Sequence, residues 1–391
     1  MAPPFSREEY ADRLRRVRRA MEQHGHDALV IGDPSNINWL TGYDAWSFYT
    51  PQIMVVGLDL PPTWLGREMD AGAADFTTYL PAEQVVPFPE TLVQRKDAHP
   101  AQFMGDWMAG QGLDGKRIAY ESDVYYLTPA AVEHLKAKLP NSRWADCGKL
   151  TNWCRLTKSA AEIEMMRQAA AIAARTMQTA YDGIGPGVRQ CDLMADVTAA
   201  MIRGTPEFGG DMTAIHPLVL AGEAASTAHP IWTDAPFQRD QTIAFELGGC
   251  RKRYNVGLAR TVHLGKPNDT LMTTARAVGE GMEALLDTMK AGALCCDVHA
   301  AWQGVLDRYG LEKKSRIGYS IGVGYAPDWG EHTISFRPGD ATPLPENAVV
   351  HIILGMWMDG WGMELSETIH IRETDAVCLT QFPRDVHIID A

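Results

Sequence analysis

Ser159 and Glu162 form a capping box at the head of an Ala- and Met-rich run, AAEIEMMRQAAAIAARTMQTAYDG, that stops at Gly183, Gly185 and Pro186. A helix that long is held by burying one face against a large apolar partner. The pattern before it differs from the pattern after it. Upstream, short apolar runs (DALVIGD, QIMVVGL, RIAYESD) alternate with helical stretches, one from the Ser6/Glu9 capping box through about Gln23 and one starting near Pro129. NINWLTGY at 36–43 is read as a further strand. Downstream come a second helix (CDLMADVTAAMIRG), a block of strands from about 213 to 264, two more helices to about Tyr309 and a strand-rich C-terminus. The fold class expected is α+β. Residues 1–157 make an α/β domain with a mixed sheet, and residues 158–391 make a domain of long helices over antiparallel strands.

The 391 residues are enough for two cores. The formal charge of -13 is spread along the chain, so no basic stripe is available for phosphates, and nucleic acid and anionic membranes are excluded as partners. Arg13, Arg15, Arg16, Arg18 and Arg19 are read as the solvated face of the first helix. Seven cysteines, odd in number and without CxxC spacing, read as reduced thiols of a cytoplasmic protein. The charged N-terminus lacks the apolar stretch of a signal peptide, and no run of about 18 apolar residues suggests a membrane span.

Three places in the sequence carry chemistry. Glu246 sits in an apolar strand, TIAFELGG, where an unpaired carboxylate is costly to desolvate; it belongs either to a buried ion pair or to a pocket that receives a cation. Glu364 and Glu367 in GMELSET follow Gly362 with strand alternation, so at least one is expected to reach that pocket. GYDAWSFYTPQ supplies Trp46, Phe48 and Tyr49, too aromatic for an ordinary polar turn, which suits either core packing or the wall of a cation site.

Several segments, in order and at this spacing, resemble the creatinase and aminopeptidase P (pita-bread) superfamily: NINWLTGY at 36–43, RLTKSAAEIEMMRQAAAIA at 155–173, GLARTVHLG at 257–265 and GYSIGVGYAPDWGE at 318–331. The resemblance covers nearly the whole chain and implies a creatinase-like N-terminal domain followed by a pita-bread domain. Metallopeptidases of this superfamily hold two metal ions with two Asp, one His and two Glu. Here those positions fall on Glu246, Gly257, Tyr319, the neighbourhood of Leu354, and Ser366 or, with a shift of one, Glu367. One or two carboxylates do not make a divalent cage, so no metal and no other cofactor is expected.

In metal-free members the position of His229 resembles a general acid/base, and Glu246 becomes a nucleophile or an electrostatic partner of a positive transition state. Tyr319 is expected to donate into the same pocket or to satisfy a backbone carbonyl; Trp46, Tyr49 and Glu364 are expected to bind substrate; His216, His263, His332, His351 and His370 are read as structural. YDAWSFYTPQ, GYSIGVGYAPDWGE and GMWMDGWGMELSETIHI look most like the ectoine-hydrolase branch, and Ala259 stands where creatinases carry a Glu before the Arg. The resemblance therefore implies a small zwitterionic substrate, ectoine, opened at its cyclic amidine, a homodimer in which one subunit helps close the other's site, and a downstream deacetylase. A creatinase-like amidinohydrolase, a Xaa-Pro peptidase and a non-catalytic binding module are the alternatives. Arg260, Arg316 and Arg337 are candidates for the substrate carboxylate.

Overall fold

The computed structural model describes residues 3–47 and 49–390. The chain divides after Arg155 into two units.

The first unit is built on a six-stranded mixed sheet in the order β4-β3-β2-β1-β5-β6, from β1 (Ala28–Ile31), β2 (Ile53–Gly57), β3 (Thr63–Arg67), β4 (Val85–Phe88), β5 (Arg117–Tyr120) and β6 (Arg143–Asp146). Val30, Val55, Leu65 and Ile118 pack with Met104 and Leu135 from the helices Pro100–Gly110 and Pro129–Lys138 to form its core. The segment read as a strand, NINWLTGY, is mostly helix: Pro34–Thr41 is helical, with Asp33 as N-cap accepting from Ser35 N and Gly42 at φ 79 closing the end. Proline at the first helical position and an Asp before it are helix-start signals that outweigh the β-branched content of the segment. Asn36 of this helix donates to Glu121 and to Asn152, and Glu121 also accepts the backbone N–H groups of Gly32 and Asp33.

The helix Arg7–His24 begins at its Ser6 cap, but its arginines are not all solvated. Arg13 is buried, donating to the carbonyl of Trp39 and pairing with Glu9, while Arg18 spans to the carbonyls of Gly57 and Leu60. Long guanidinium side chains satisfy loop carbonyls that a helix face cannot reach through its backbone.

The second unit carries a nine-stranded sheet whose main path is β16-β15-β12-β10-β9-β8-β7, with β11 paired to β10 and β17 to β9. Its strands are β7 (Leu218–Ala221), β8 (Gln241–Arg251), β9 (Tyr254–Leu264), β10 (Gly318–Tyr325), β11 (Asp328–Ser335), β12 (Val349–Ile353), β15 (Ser366–Ile371), β16 (Ala376–Cys378) and β17 (His387–Ile389); β13 (Met356–Met358) and β14 (Trp361–Met363) form a separate hairpin. The ladders are antiparallel except β17 on β9. The helix Ala160–Gly183 keeps both halves of its capping box and lies against β8 so closely that a Cβ on Gly249 would stand 2.1 Å from the carbonyl of Ala169. Helices Asp269–Thr288 and Cys295–Tyr309 bury Leu271, Met282, Trp302 and Leu306 against Ile317, Phe336, Val350 and Ile369. Lys158, from the RLTKS segment, forms a buried ion pair with Glu331 of the GYAPDWGE segment at 2.6 Å. Among the described residues no helix is long and apolar enough to cross a membrane.

Candidate active site

β8 and β9 form the floor of the site. Glu246 is in register with Ala259, and Gly248 with Gly257. Among the described residues the other edge of β9 is laddered only at its ends, by β10 at Tyr254 and by β17 from Val262 to Leu264. Between those points its backbone needs other partners. Hydroxyls supply them: Ala259 N donates to Ser366 Oγ at 2.6 Å, Gly257 N donates to Thr368 Oγ1, which returns a bond to Gly257 O, and Thr261 Oγ1 exchanges bonds with the backbone of Glu364 at 2.9 Å in both directions. β15 and the segment before it are thereby fastened across the sheet.

Glu246 is 5% exposed, and no hydrogen bond reaches its carboxylate among the described residues. Burial, and then the charge of Glu364, push its pKa well above the usual carboxylate range. Glu364 is buried too; one carboxylate oxygen accepts from Trp357 Nε1 at 2.8 Å and the other has no partner. Its pKa rises to about 7, raised by burial and held down by the indole N–H and by Lys313, which lies 4.1 Å over the Trp357 ring. Burial and their mutual repulsion thus keep the two carboxylates from ionising together as readily as either would alone.

Above Gly257 stands His351: a Cβ on Gly257 would come 2.7 Å from the ring. The ring's Nε2 is 2.8 Å from Ser366 Oγ and its Nδ1 is 3.3 Å from Tyr319 Oη, which also accepts from Trp329 Nε1 at 2.9 Å. Burial lowers the His351 pKa to about 3, so the imidazole is neutral. Burial, followed by the charge of Glu246, raises the Tyr319 phenol. Arg316 stacks on the Tyr319 ring at 4.6 Å.

Where the resemblance sets the metal ligands of the metallopeptidases, this chain has Glu246, Gly257, Tyr319, the neighbourhood of Leu354, and Ser366 or Glu367, and the His351 imidazole stands where a side chain on residue 257 would go. Among the described residues no group of three or more His, Cys, Asp or Glu side chains could hold a metal ion. The donors present do not fit a dinuclear centre.

Of the residues singled out in the sequence, Glu246, Tyr319 and Glu364 come together. Glu367 does not join them: it pairs with Arg260 at 2.7 Å and Arg384 at 3.0 Å. Arg260 is buried and also holds the carbonyls of Ser366, Phe382 and Pro383, so it is a structural strut and not a substrate ligand. Arg337 is exposed. His229 is exposed on the loop after the short helix Gly222–Ser226, and no hydrogen bond or charge interaction links it to Glu246. Trp46 and Tyr49 belong to the first unit, 63% and 65% exposed, with Tyr49 Oη accepting from Arg67; Phe48 lies outside the described residues. His351 was read as structural, Ser366 only as a position where the resemblance sets a metal ligand, and Trp357 was not singled out. A histidine inside the apolar run VVHIILG carries the same signal that marked Glu246.

Comparison with known proteins agrees with this architecture. Residues 13–157 match the creatinase/prolidase N-terminal domain and residues 164–373 match metallopeptidase family M24. An ectoine hydrolase of Halomonas elongata is 39% identical over 98% of each chain, and an uncharacterized hydrolase/peptidase of Sinorhizobium fredii is 38% identical over 99% of each. The prolidase of Thermococcus sibiricus superposes with a TM-score of 0.85 at 17% identity, covering 97% of this chain and 99% of that one. The sheet, the capping-box helix and the relatives agree: the chain belongs to the M24 family of hydrolases, with a creatinase-type domain ahead of its pita-bread domain.

Proposed function

We propose that this chain opens the amidinium ring of ectoine with water, giving an N-acetyl-2,4-diaminobutyrate, and that it does so without a metal ion. The observation that carries the reading is Glu246, a buried carboxylate with no hydrogen bond, beside a second buried carboxylate at Glu364. Such a pair is costly unless a cation completes it, and a compact amidinium supplies a delocalised positive charge next to an electrophilic carbon. The identity of 39% to an ectoine hydrolase supports the same substrate. Arg316, beside Tyr319, is the cation suited to the substrate's own carboxylate.

Two routes fit. In one, the Glu246 carboxylate adds to C2, the bond from C2 to one ring nitrogen breaks, and His229 delivers a proton to that nitrogen; water then attacks the same carbon and displaces the carboxylate, leaving the acetamide. In the other, water adds to C2 directly and gives up its proton to His229, which passes it to a ring nitrogen as the bond from C2 to that nitrogen breaks and the acetamide carbonyl forms, while Glu246 holds the positive charge. The resemblance to metal-free relatives, and not a contact in the fold, supports the role of His229. The same resemblance underlies the proposed homodimer and a deacetylase acting on the product.

The test is incubation of metal-stripped protein with ectoine, creatine and a Xaa-Pro dipeptide in parallel, followed by NMR and mass spectrometry. Acetylated diaminobutyrate from ectoine is the expected outcome. Turnover of creatine alone moves the chain to an amidinohydrolase, and silence on all three substrates sinks the enzymatic reading in favour of a binding module.

A further inference from the structure

The four-membered chain Trp329, Tyr319, His351, Ser366 has a direction. We infer that His351 is locked as the Nδ1–H tautomer and acts as a positioning residue that forces Tyr319 to spend its hydroxyl hydrogen on the substrate pocket.

Both ends of the chain are donor-only groups. The Trp329 indole N–H donates to Tyr319 Oη at 2.9 Å, and the Ala259 amide N–H donates to Ser366 Oγ at 2.6 Å. The middle bonds, Ser366 Oγ to His351 Nε2 at 2.8 Å and His351 Nδ1 to Tyr319 Oη at 3.3 Å, could run either way. If Nε2 carried the hydrogen, Ser366 would accept twice and its own hydroxyl hydrogen, fully buried, would have no acceptor among the described residues. A buried hydroxyl donor without a partner is the costlier arrangement. If Ser366 instead donates to Nε2, its buried hydroxyl is satisfied both as donor and as acceptor: Nδ1–H donates to Tyr319, and Tyr319 accepts from both the indole and the imidazole. Its hydroxyl hydrogen must then leave the chain. Tyr319 is half-buried where Ser366 is fully buried, so its hydroxyl hydrogen is the one free to face a ligand, on the side from which the charge of Glu246 acts on it. The neutral ring is required by either tautomer, and the burial of His351 provides it.

The pocket therefore presents a phenolic donor of fixed direction next to the reacting carboxylate. With the amidinium seated on Glu246, that donor is available to the oxygen entering at C2, an assignment that rests on the ring-opening reading above. The chain of bonds itself does not.

Neutron diffraction from crystals exchanged into D2O tests the direction on the unmodified protein, whatever its substrate. Deuterium on His351 Nδ1 and on Ser366 Oγ aimed at Nε2 is expected, and deuterium on Nε2 overturns the inference. Kinetics give a second readout on whichever substrate is turned over. Tyr319→Phe is expected to lose roughly tenfold to a hundredfold in kcat with little change in KM. Ser366→Ala, which frees Nε2 and lets the ring reverse, should lose about as much kcat, and the double variant no more than the larger single loss. Fully additive losses overturn it, and if Ser366→Ala does not fold, the neutron result decides alone.

Discussion

A carboxylate in an apolar strand has two fates, and among the described residues Glu246 forms no ion pair: the charge that acts on it is that of another carboxylate, Glu364. Because burial raises both members of the pair, the free site holds a proton near neutral pH that a bound cation must expel. The sign follows from linkage. A cation prefers the ionised pair, so its apparent affinity rises with pH until the pair is ionised, and KM should fall about tenfold per pH unit on the acid side. Calorimetry in buffers of different ionisation enthalpy should show proton release on binding; proton uptake, or a KM flat from about pH 5.5 to 8, removes the pair from substrate binding. Glu246→Ala is expected to lose at least about a thousandfold in turnover. Glu246→Gln separates the routes, since residual turnover points to direct attack by water and complete loss to the covalent intermediate. Near-normal activity in the alanine variant sinks both. Glu246 was legible in the sequence because an acid in TIAFELGG has no local excuse. The roles of Trp357 and Ser366 were not, because a tryptophan in a Met- and Gly-rich hairpin and a serine opening a strand acquire them only when β15 crosses to β9.

At the scale of elements, the motifs that carried the resemblance work as fasteners. RLTKS and GYAPDWGE are joined by the Lys158–Glu331 pair, so β11 and the chain just ahead of the long helix are fixed to one another by two charges that are 1% exposed. Removing one partner leaves the other charge buried, so Glu331→Ala should cost about 3–5 kcal/mol, whereas the same substitution at the exposed Glu373 should cost under about 0.5 kcal/mol. Denaturant melts of both variants check it, and equal midpoints would show that the pair contributes nothing. The elements themselves were legible where local signals agree: both capping boxes start helices, and the apolar runs DALVIGD and QIMVVGL contain strands. NINWLTGY was misread because its residues look extended while its start, Asp33-Pro34, is a helix cap. Arg13 was misread because its acceptor, the Trp39 carbonyl, lies 26 residues away. Gly257 adds a packing rule no pattern exposes: Gly257→Ala drives a methyl into the His351 ring, and a loss of about 1–3 kcal/mol is expected.

For the whole molecule, the family's metal chemistry and this chain's donors disagree, and the disagreement has a direct consequence. Activity should survive exhaustive chelation within about twofold and gain nothing from Mn2+, Co2+ or Zn2+, because Gly257, Tyr319 and Ser366 offer no anionic ligand. Loss on chelation with recovery on adding back one metal would contradict this. Trp46 and Tyr49 raise the second question at this scale. Two large aromatics on one segment, 63% and 65% exposed, are poorly used by an isolated chain. If they close the site of a partner subunit, a variant with Trp46→Ala and Tyr49→Ala and a variant with Glu246→Ala, each inactive, should complement when unfolded and refolded together. Half of the dimers would then be mixed, each with one site whose carboxylate and aromatic wall are both intact, and about a quarter of the wild-type rate should return. If the wall belongs to its own subunit, or if the chain works as a monomer, no mixture restores a complete site and the rate stays at the level of the separate variants.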